Sequence, residues 1–204
     1  MRFIVLRHAE SQWNSEGIIQ GRMDSPLTPK GYRQITALCS ALQTMPVSLV
    51  ISSPSGRARM TAQSLAAQFN CPCQTDERLQ EQSFGRLEGL SYAQALRDYP
   101  DATQRFFSGE LGEWEPEGES TREVARRMVS YLLSLSADHH NKTFCLVTHG
   151  RALQALIWTL KGEASPDDLR KYSHQNCSYT IVDVNECGFV LVNWGIATHL
   201  LTLR

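Results

Sequence analysis

The chain has almost no net charge: 20 Lys and Arg stand against 21 Asp and Glu, a formal net charge of −1. That balance excludes the broad basic face by which a protein holds nucleic acid or an anionic membrane, so any positive field must be local. Long apolar runs are missing too. The run behind Met1-Arg2 is Phe3-Ile4-Val5-Leu6, too short for a secretory signal core, and no segment approaches the roughly 20 residues of a membrane-spanning helix. There is no internal repeat and no low-complexity linker, so 204 residues with 42% hydrophobic content read as a single domain over 1–204 with ample core. Cysteines are few and badly spaced for metal or redox work. Of the six, Cys39, Cys145, Cys177 and Cys187 stand apart, and Cys71-Pro72-Cys73 has the spacing of neither a zinc pair nor a thioredoxin-like motif. The expectations are reduced cysteines, no metal, no cofactor, and a cytoplasmic protein that binds neither nucleic acid nor membrane. Monomer and homodimer both stay open.

What is present is a regular alternation of two patterns. Phe3–Leu6, Ser48–Ser52 and Phe144–Thr148 are short and apolar on successive residues, as strands buried on both faces of a sheet are. Thr28 followed by Pro29 is an N-cap with proline at the first helical position, predicting a helix to about Gln43. A second helix follows Gly56 and runs to about Phe69. Ser120 and Glu123 have capping-box spacing, and Val124, Met128, Tyr131, Leu132 and Leu135 put one apolar face on the helix they open. Ser165-Pro166 opens a further short helix, and Tyr179–Val184 with Phe189–Asn193 form an antiparallel hairpin about Asn185-Glu186-Cys187-Gly188. Strands alternating with helices predict an α/β fold, a three-layer sandwich whose mostly parallel central sheet carries helices on both faces. Leu90 to Gly118 breaks that rhythm. Its aromatics, Tyr92, Tyr99, Phe106, Phe107 and Trp114, predict a small helical cap insertion around 90–118 that folds over a pocket mouth.

The polar residues gather at strand ends. Arg7-His8 closes the first strand, Arg57 lies in the first turn of the helix behind the second, and His149-Gly150 closes the third just before a helix-like stretch from Arg151 to Ile157. In open α/β sheets the loops beyond the carboxyl ends of strands form the ligand crevice. Two guanidiniums and two imidazoles there make a pocket for a dianion, because arginine's planar fork matches phosphate oxygens and a helix amino terminus adds oriented amides. A neutral His8 can attack phosphorus in line, and neighbouring arginines disfavour a further positive charge on its ring. Arg7, Arg57 and a protonated His149 would neutralise the phosphoryl oxygens as charge shifts to the leaving group.

These residues carry a family resemblance. The chain resembles the histidine phosphatase superfamily, also called phosphoglycerate-mutase-like. The likeness runs from Arg7-His8-Ala9-Glu10-Ser11-Gln12-Trp13-Asn14 through Gln20-Gly21, Asp24-Ser25-Pro26-Leu27-Thr28-Pro29-Lys30-Gly31 and Ser52-Ser53-Pro54 with Arg57-Ala58 and Thr61-Ala62. It continues through Glu81 with Gly85, Glu88-Gly89 and Pro116-Glu117-Gly118-Glu119-Ser120 to Thr148-His149-Gly150. Two positions depart from the pattern: Ala9 stands where the family usually has glycine, narrowing the approach to His8, and Ser55 stands where it often has leucine. The carboxyl half, with Asn176-Cys177-Ser178, is similar to bacterial small-molecule phosphatases of the kind also named a second phosphoglycerate mutase or an alpha-ribazole phosphatase.

The resemblance implies a metal-independent phosphomonoester hydrolase acting on small phosphorylated metabolites through a phosphohistidine on His8. Glu81 occupies the proton-donor position, and Asn14, Gln20 and Gly21 match positions that donate hydrogen bonds to the phosphate, beside Gly150 at the helix start. Glu88, seven residues beyond Glu81, is the rival acid but is expected to be structural, as are Asp24 and the lone His174 and His199. His139-His140 is expected to point into solvent. A phosphoglycerate mutase is the second reading. Against it, Phe84, Tyr92 and Arg151 stand where the mutases carry tyrosine, lysine and asparagine, and the Arg-Arg-Ser and polyproline insertion of the mutases is missing. A catalytically silent phospholigand-binding protein on the same fold is the third.

Overall fold

The computed structural model of the chain describes residues 1–108, 118–138, 141–162, 169 and 171–203. Six strands form one sheet: β1 (Arg2–Arg7), β2 (Val47–Ser52), β3 (Cys73–Thr75), β4 (Thr143–Thr148), β5 (Tyr179–Asn185) and β6 (Gly188–Ile196), in the spatial order β3-β2-β4-β1-β5-β6. β3, β2, β4 and β1 are parallel, while β5 and β6 add an antiparallel hairpin at one edge. The helices among the described residues are α1 (Gln12–Glu16), α2 (Pro29–Leu42), α3 (Gly56–Phe69), α4 (Tyr92–Asp98), α5 (Pro100–Ser108), α6 (Thr121–Asp138) and α7 (Gly150–Leu160). None of them is long and apolar enough to cross a membrane.

The apolar strands are continuous because the sheet is covered twice. Ile4 and Leu6 of β1 join Val50, Cys145 and Val147 against Leu38 of α2 and Leu65 of α3, whereas Phe3 and Val5 join Ile51, Phe144 and Leu146 against Met128 of α6 and Leu153 of α7. Successive residues of a strand point to opposite faces, so burial of both faces demands an apolar side chain at every position. Each such side chain contributes roughly 1.5–3 kcal/mol of burial. The predicted three-layer architecture is therefore the observed one.

The predicted helices begin as expected. Thr28 Oγ1 accepts from Gly31 N at 2.9 Å with proline opening α2, and Ser120 and Glu123 exchange their capping-box bonds at the head of α6. Two elements escape the sequence patterns: α1 has no buried residue, and all three residues of β3 are exposed. The hairpin turn is tighter than predicted, with Asn185 and Gly188 paired across Glu186-Cys187. α4 and α5 make the helical part of the predicted excursion, packing Ala95, Tyr99 and Phe106 against Ile19, Phe84 and Leu87. Trp114, Pro116-Glu117, the Ser165-Pro166 helix and His139-His140 lie outside the described residues, as does the side chain of Phe107.

Register sets the functional edge. β4 lies between β1 and β2, pairing Thr148 with Arg7 on one side and Val147 with Ser52 on the other. The three strands that carry the polar residues are thus direct neighbours, and they end flush.

Candidate active site

Arg57 is the hub of that edge. Its side chain is buried, and all five N–H donors of a guanidinium find acceptors. Nε–H donates to His8 Nε2 at 3.2 Å, and Nη1 donates to Met23 O at 2.6 Å and Asp24 Oδ1 at 2.9 Å. Nη2 donates to Gly21 O at 2.8 Å and His149 Nδ1 at 3.2 Å. Asp24 also accepts from Gly56 N at 2.7 Å and Arg57 N at 3.3 Å, so one carboxylate fixes the head of α3 and the guanidinium together. A Cβ at position 56 would lie 2.3 Å from Asp24 Oδ2, so a larger residue there displaces that carboxylate.

The partners assign opposite tautomers to the two imidazoles. His8 Nδ1–H donates to Ala9 O at 2.7 Å, leaving the Nε2 lone pair toward Arg57. His149 holds its lone pair on Nδ1, and Nε2–H donates to Ser53 Oγ at 2.8 Å. The rings meet edge to face with centroids 5.1 Å apart. Burial pushes both imidazoles well below the ordinary histidine range, with Arg57 the next cause at each. His8 is therefore neutral, with desolvation outweighing the arginine effect expected from the sequence. His149 is neutral as well. Burial beside Arg57, His8 and Arg7 disfavours a second proton on its ring while the site holds no anion, and an arriving anion favours one.

Arg7 is anchored from the far end of the chain, Nη1 donating to His174 O at 2.6 Å, while its Nε is buried without a protein partner. The Asn176-Cys177 turn holds the same strand end: Cys177 N donates to Arg7 O at 3.0 Å and Asn176 Nδ2 to His8 O at 3.0 Å. Glu81 caps α7, its carboxylate accepting from Arg151 N at 3.2 Å, Ala152 N at 2.9 Å and Gln82 N at 3.0 Å. Arg127 in turn donates to Glu81 O at 3.2 Å.

A cavity of about 500 Å³ brings together Arg7, His8, Asn14, Gln20, Gly21, Arg57, Glu81 and Gly150. Its lining also includes Trp13, Ile18, Phe84 and Phe106, with Arg151 donating to Phe106 O and lying 4.9 Å over the Phe106 ring. His149 does not line this cavity. It borders a smaller one of about 160 Å³, which also touches Glu81 and Gly21. Asn14 and Gln20 carry structural bonds of their own. Asn14 Oδ1 accepts from Ser11 N at 3.2 Å and Asn176 Nδ2 at 3.1 Å, and Gln20 bridges Ser11 Oγ at 2.8 Å and Ser25 Oγ at 3.2 Å.

The expected structural residues are so placed. Glu88 Oε1 accepts from Phe84 N at 2.8 Å and packs where a Cβ on Gly21 would lie 2.2 Å away. His174 donates from Nδ1 to Tyr172 O at 2.8 Å, and His199 bonds Cys177 O at 3.0 Å. Ala9 does not narrow the approach to His8: it is fully buried among the core residues beneath α2 and α3. Asp24 is more than a turn residue, and sequence reasoning missed its grip on Arg57. Among the described residues, no group of three or more His, Cys, Asp or Glu is placed to hold a metal ion.

Fold and site together define an α/β protein whose parallel sheet ends in two guanidiniums and two neutral imidazoles, a set able to receive a dianionic phosphate. The family model of the histidine phosphatase superfamily (branch 1) matches residues 3–197, and the chain belongs to that superfamily. It is 32% identical over 198 residues to "Probable phosphoglycerate mutase GpmB" of Escherichia fergusonii, covering 97% of this chain and 92% of the relative. Among solved structures it resembles Bacillus stearothermophilus YhfR, with a TM-score of 0.91, 30% identity and 98% of each chain covered. The phosphoserine phosphatase of Entamoeba histolytica is similar at a TM-score of 0.85 and 28% identity, covering 98% of this chain and 99% of that one.

Proposed function

We propose that the chain is a metal-independent phosphomonoesterase of small phosphorylated metabolites, working through a phosphohistidine on His8. One observation carries this reading: the Nε2 lone pair of a buried, neutral His8 faces the Arg57 guanidinium in the cavity that also holds Arg7 and Glu81. Phosphate oxygens replace His8 and His149 as acceptors for Arg57, and Arg7 supplies further donors. Nε2 attacks phosphorus, the P–O bond to the alcohol breaks, and a proton from Glu81 neutralises the departing oxygen, worth roughly 10²–10⁴ in rate. Water then attacks the phosphohistidine, Glu81 takes its proton, and Nε2 recovers its electron pair. α4 and α5 serve as the cap, with Phe106 and Arg151 at the mouth. A phosphatase relative, the Entamoeba histolytica phosphoserine phosphatase, supports hydrolysis as the outcome.

The test is release of phosphate from p-nitrophenyl phosphate in the presence of EDTA. Wild type turns over, and His8→Ala loses activity by at least about 10³-fold, as expected of a nucleophile; equal activity in that variant sinks the mechanism. The GpmB likeness favours a second reading, a phosphoglycerate mutase. It predicts interconversion of 2- and 3-phosphoglycerate stimulated by a bisphosphorylated primer, with little phosphate released.

A further inference from the structure

The turn from His174 to Ser178 closes on the end of β1. Arg7 N donates to Ser178 O at 3.1 Å, and Arg7 O and Nη1 are held by Cys177 N and His174 O. Cys177 takes the left-handed backbone conformation there, with φ 61°, which a residue with a Cβ rarely adopts. From this turn the Asn176 side chain reaches two further groups: Nδ2 donates to His8 O at 3.0 Å and to Asn14 Oδ1 at 3.1 Å. Two backbone groups fix the orientation of both amides. A carbonyl oxygen can only accept, so the Asn176 atom facing His8 O is the nitrogen, and Asn14 must offer that nitrogen an oxygen. Ser11 N–H can only donate, and at 3.2 Å it requires the same Asn14 oxygen. Ser11 Oγ, which itself accepts from Gln20 Nε2 at 2.8 Å, brings a third donor to Asn14 Oδ1 at 3.1 Å. Asn14 Nδ2, at the other end of the amide, has no hydrogen-bond partner among the described residues, and Asn14 lines the main cavity with His8 and Arg57.

We infer that Asn176 is a positioning residue for phosphate binding: its donor holds the Asn14 amide with the oxygen turned to the protein, which leaves the nitrogen to donate to the anion. The inference rests on the phosphatase reading above and on the phosphate contact that the family resemblance implies for Asn14. Turned the other way, Asn14 would present a carbonyl oxygen to a dianion and repel it. The sign of that contact therefore depends on a side chain 162 residues away in the sequence. Because the same Nδ2 also grips the His8 carbonyl, one amide nitrogen fixes the nucleophile's backbone and the phosphate donor relative to each other.

Equilibrium binding of inorganic phosphate, followed by titration calorimetry, reads this without turnover. Asn14→Ala is expected to weaken phosphate about tenfold, the effect of losing a bond to a charged group, and Asn176→Ala about fivefold. In a double-mutant cycle the two losses should not multiply: once Asn14 is alanine, Asn176→Ala weakens binding by less than about twofold, against about fivefold for independent sites. A merely structural role, in which Asn176 only braces the end of β1, weakens binding by the same factor in both backgrounds. Losses that multiply therefore overturn the inference, as does unchanged phosphate affinity in either single variant. If Asn176→Ala does not fold, Asn176→Asp, which keeps the shape and removes the donor, carries the same cycle, and the effect of its added charge cancels between the two backgrounds. Failure of the hydrolase reading looks different: wild type then binds phosphate with the same coupling to Asn176 but releases none from p-nitrophenyl phosphate.

Discussion

Arg57 spends two of its five donors on the imidazole lone pairs of His8 and His149, and three on Met23, Asp24 and Gly21. The two groups of bonds differ in consequence. A phosphate can take over the donors now given to imidazoles, whereas the other three hold the guanidinium plane while that exchange happens. A buried donor left without an acceptor costs about 1–3 kcal/mol, so the preformed bonds also keep Arg57 satisfied between turnovers. Asp24 is the charged member of the anchor and should act through Arg57 as a positioning residue. Asp24→Asn keeps the shape and one acceptor while removing the charge. We expect kcat/KM for p-nitrophenyl phosphate to fall about tenfold, equivalent to roughly 1.4 kcal/mol, and vanadate affinity to fall with it. Unchanged vanadate binding would show that Asp24 merely caps α3.

At the scale of elements, α7 is held at its amino end by the residue assigned proton transfer. Glu81 accepts the N–H groups of Arg151 and Ala152, two of the orphan donors of a helix start. Glu81→Gln offers an amide where one of those donors wants an oxygen, and we expect a loss of about 1 kcal/mol in stability by denaturant titration. Its kinetic signature is separate: the variant should slow phosphate esters of poorly leaving alcohols far more than p-nitrophenyl phosphate. Equal slowing of both would remove Glu81 from proton transfer and leave it a cap. How far these elements are legible in the sequence follows from what each buries. β1, β2 and β4 bury both faces, so Phe3–Leu6 and its counterparts announce themselves. β3 buries no side chain and depends on backbone pairing with β2 alone, so Cys73–Thr75 carries no periodic signal. α1 is likewise set by its Ser11 cap and the left-handed Gly17 rather than by any apolar face. Strand-end residues Arg7, His8 and His149 are legible because polar side chains interrupt an apolar run at the edge where an α/β sheet gathers its loops. Asp24 and the Asn176-Cys177 turn are not, since their partners lie 33 residues away for Arg57 and 168 for His8, and sequence spacing cannot show which distant backbone a turn will grip.

For the whole molecule, enclosing the site between two helical layers has a thermodynamic consequence. The fold buries His8, His149 and His174 as neutral rings, burial being the first cause of each shift, with His174 pushed down to about 4. In the unfolded chain these rings titrate near 6.5. As pH falls through that value the unfolded state gains protons that the folded state refuses, so folding stability is fully present above the unfolded pKa and declines on acidification. Each refused proton contributes up to about 1.4 kcal/mol per pH unit. For His174 the loss continues to about pH 4, where the folded ring itself accepts a proton. Asp76 and Asp183, held below the carboxylate range by hydrogen bonds from Arg78 and Arg2, begin to contribute only in stronger acid, so the window from pH 7 to pH 5 isolates the histidines. Urea titrations across that window should show stability falling with pH and proton uptake on unfolding. In His174→Gln the absolute stability drops, because the bonds to Tyr172 O and Thr180 Oγ1 at 2.8 and 2.9 Å are disturbed. The decisive quantity is the slope, which should lose the share of one proton in that variant. A slope identical to wild type would mean that His174 is charged in the folded protein and that the interior around Arg7 is wetter than its packing implies.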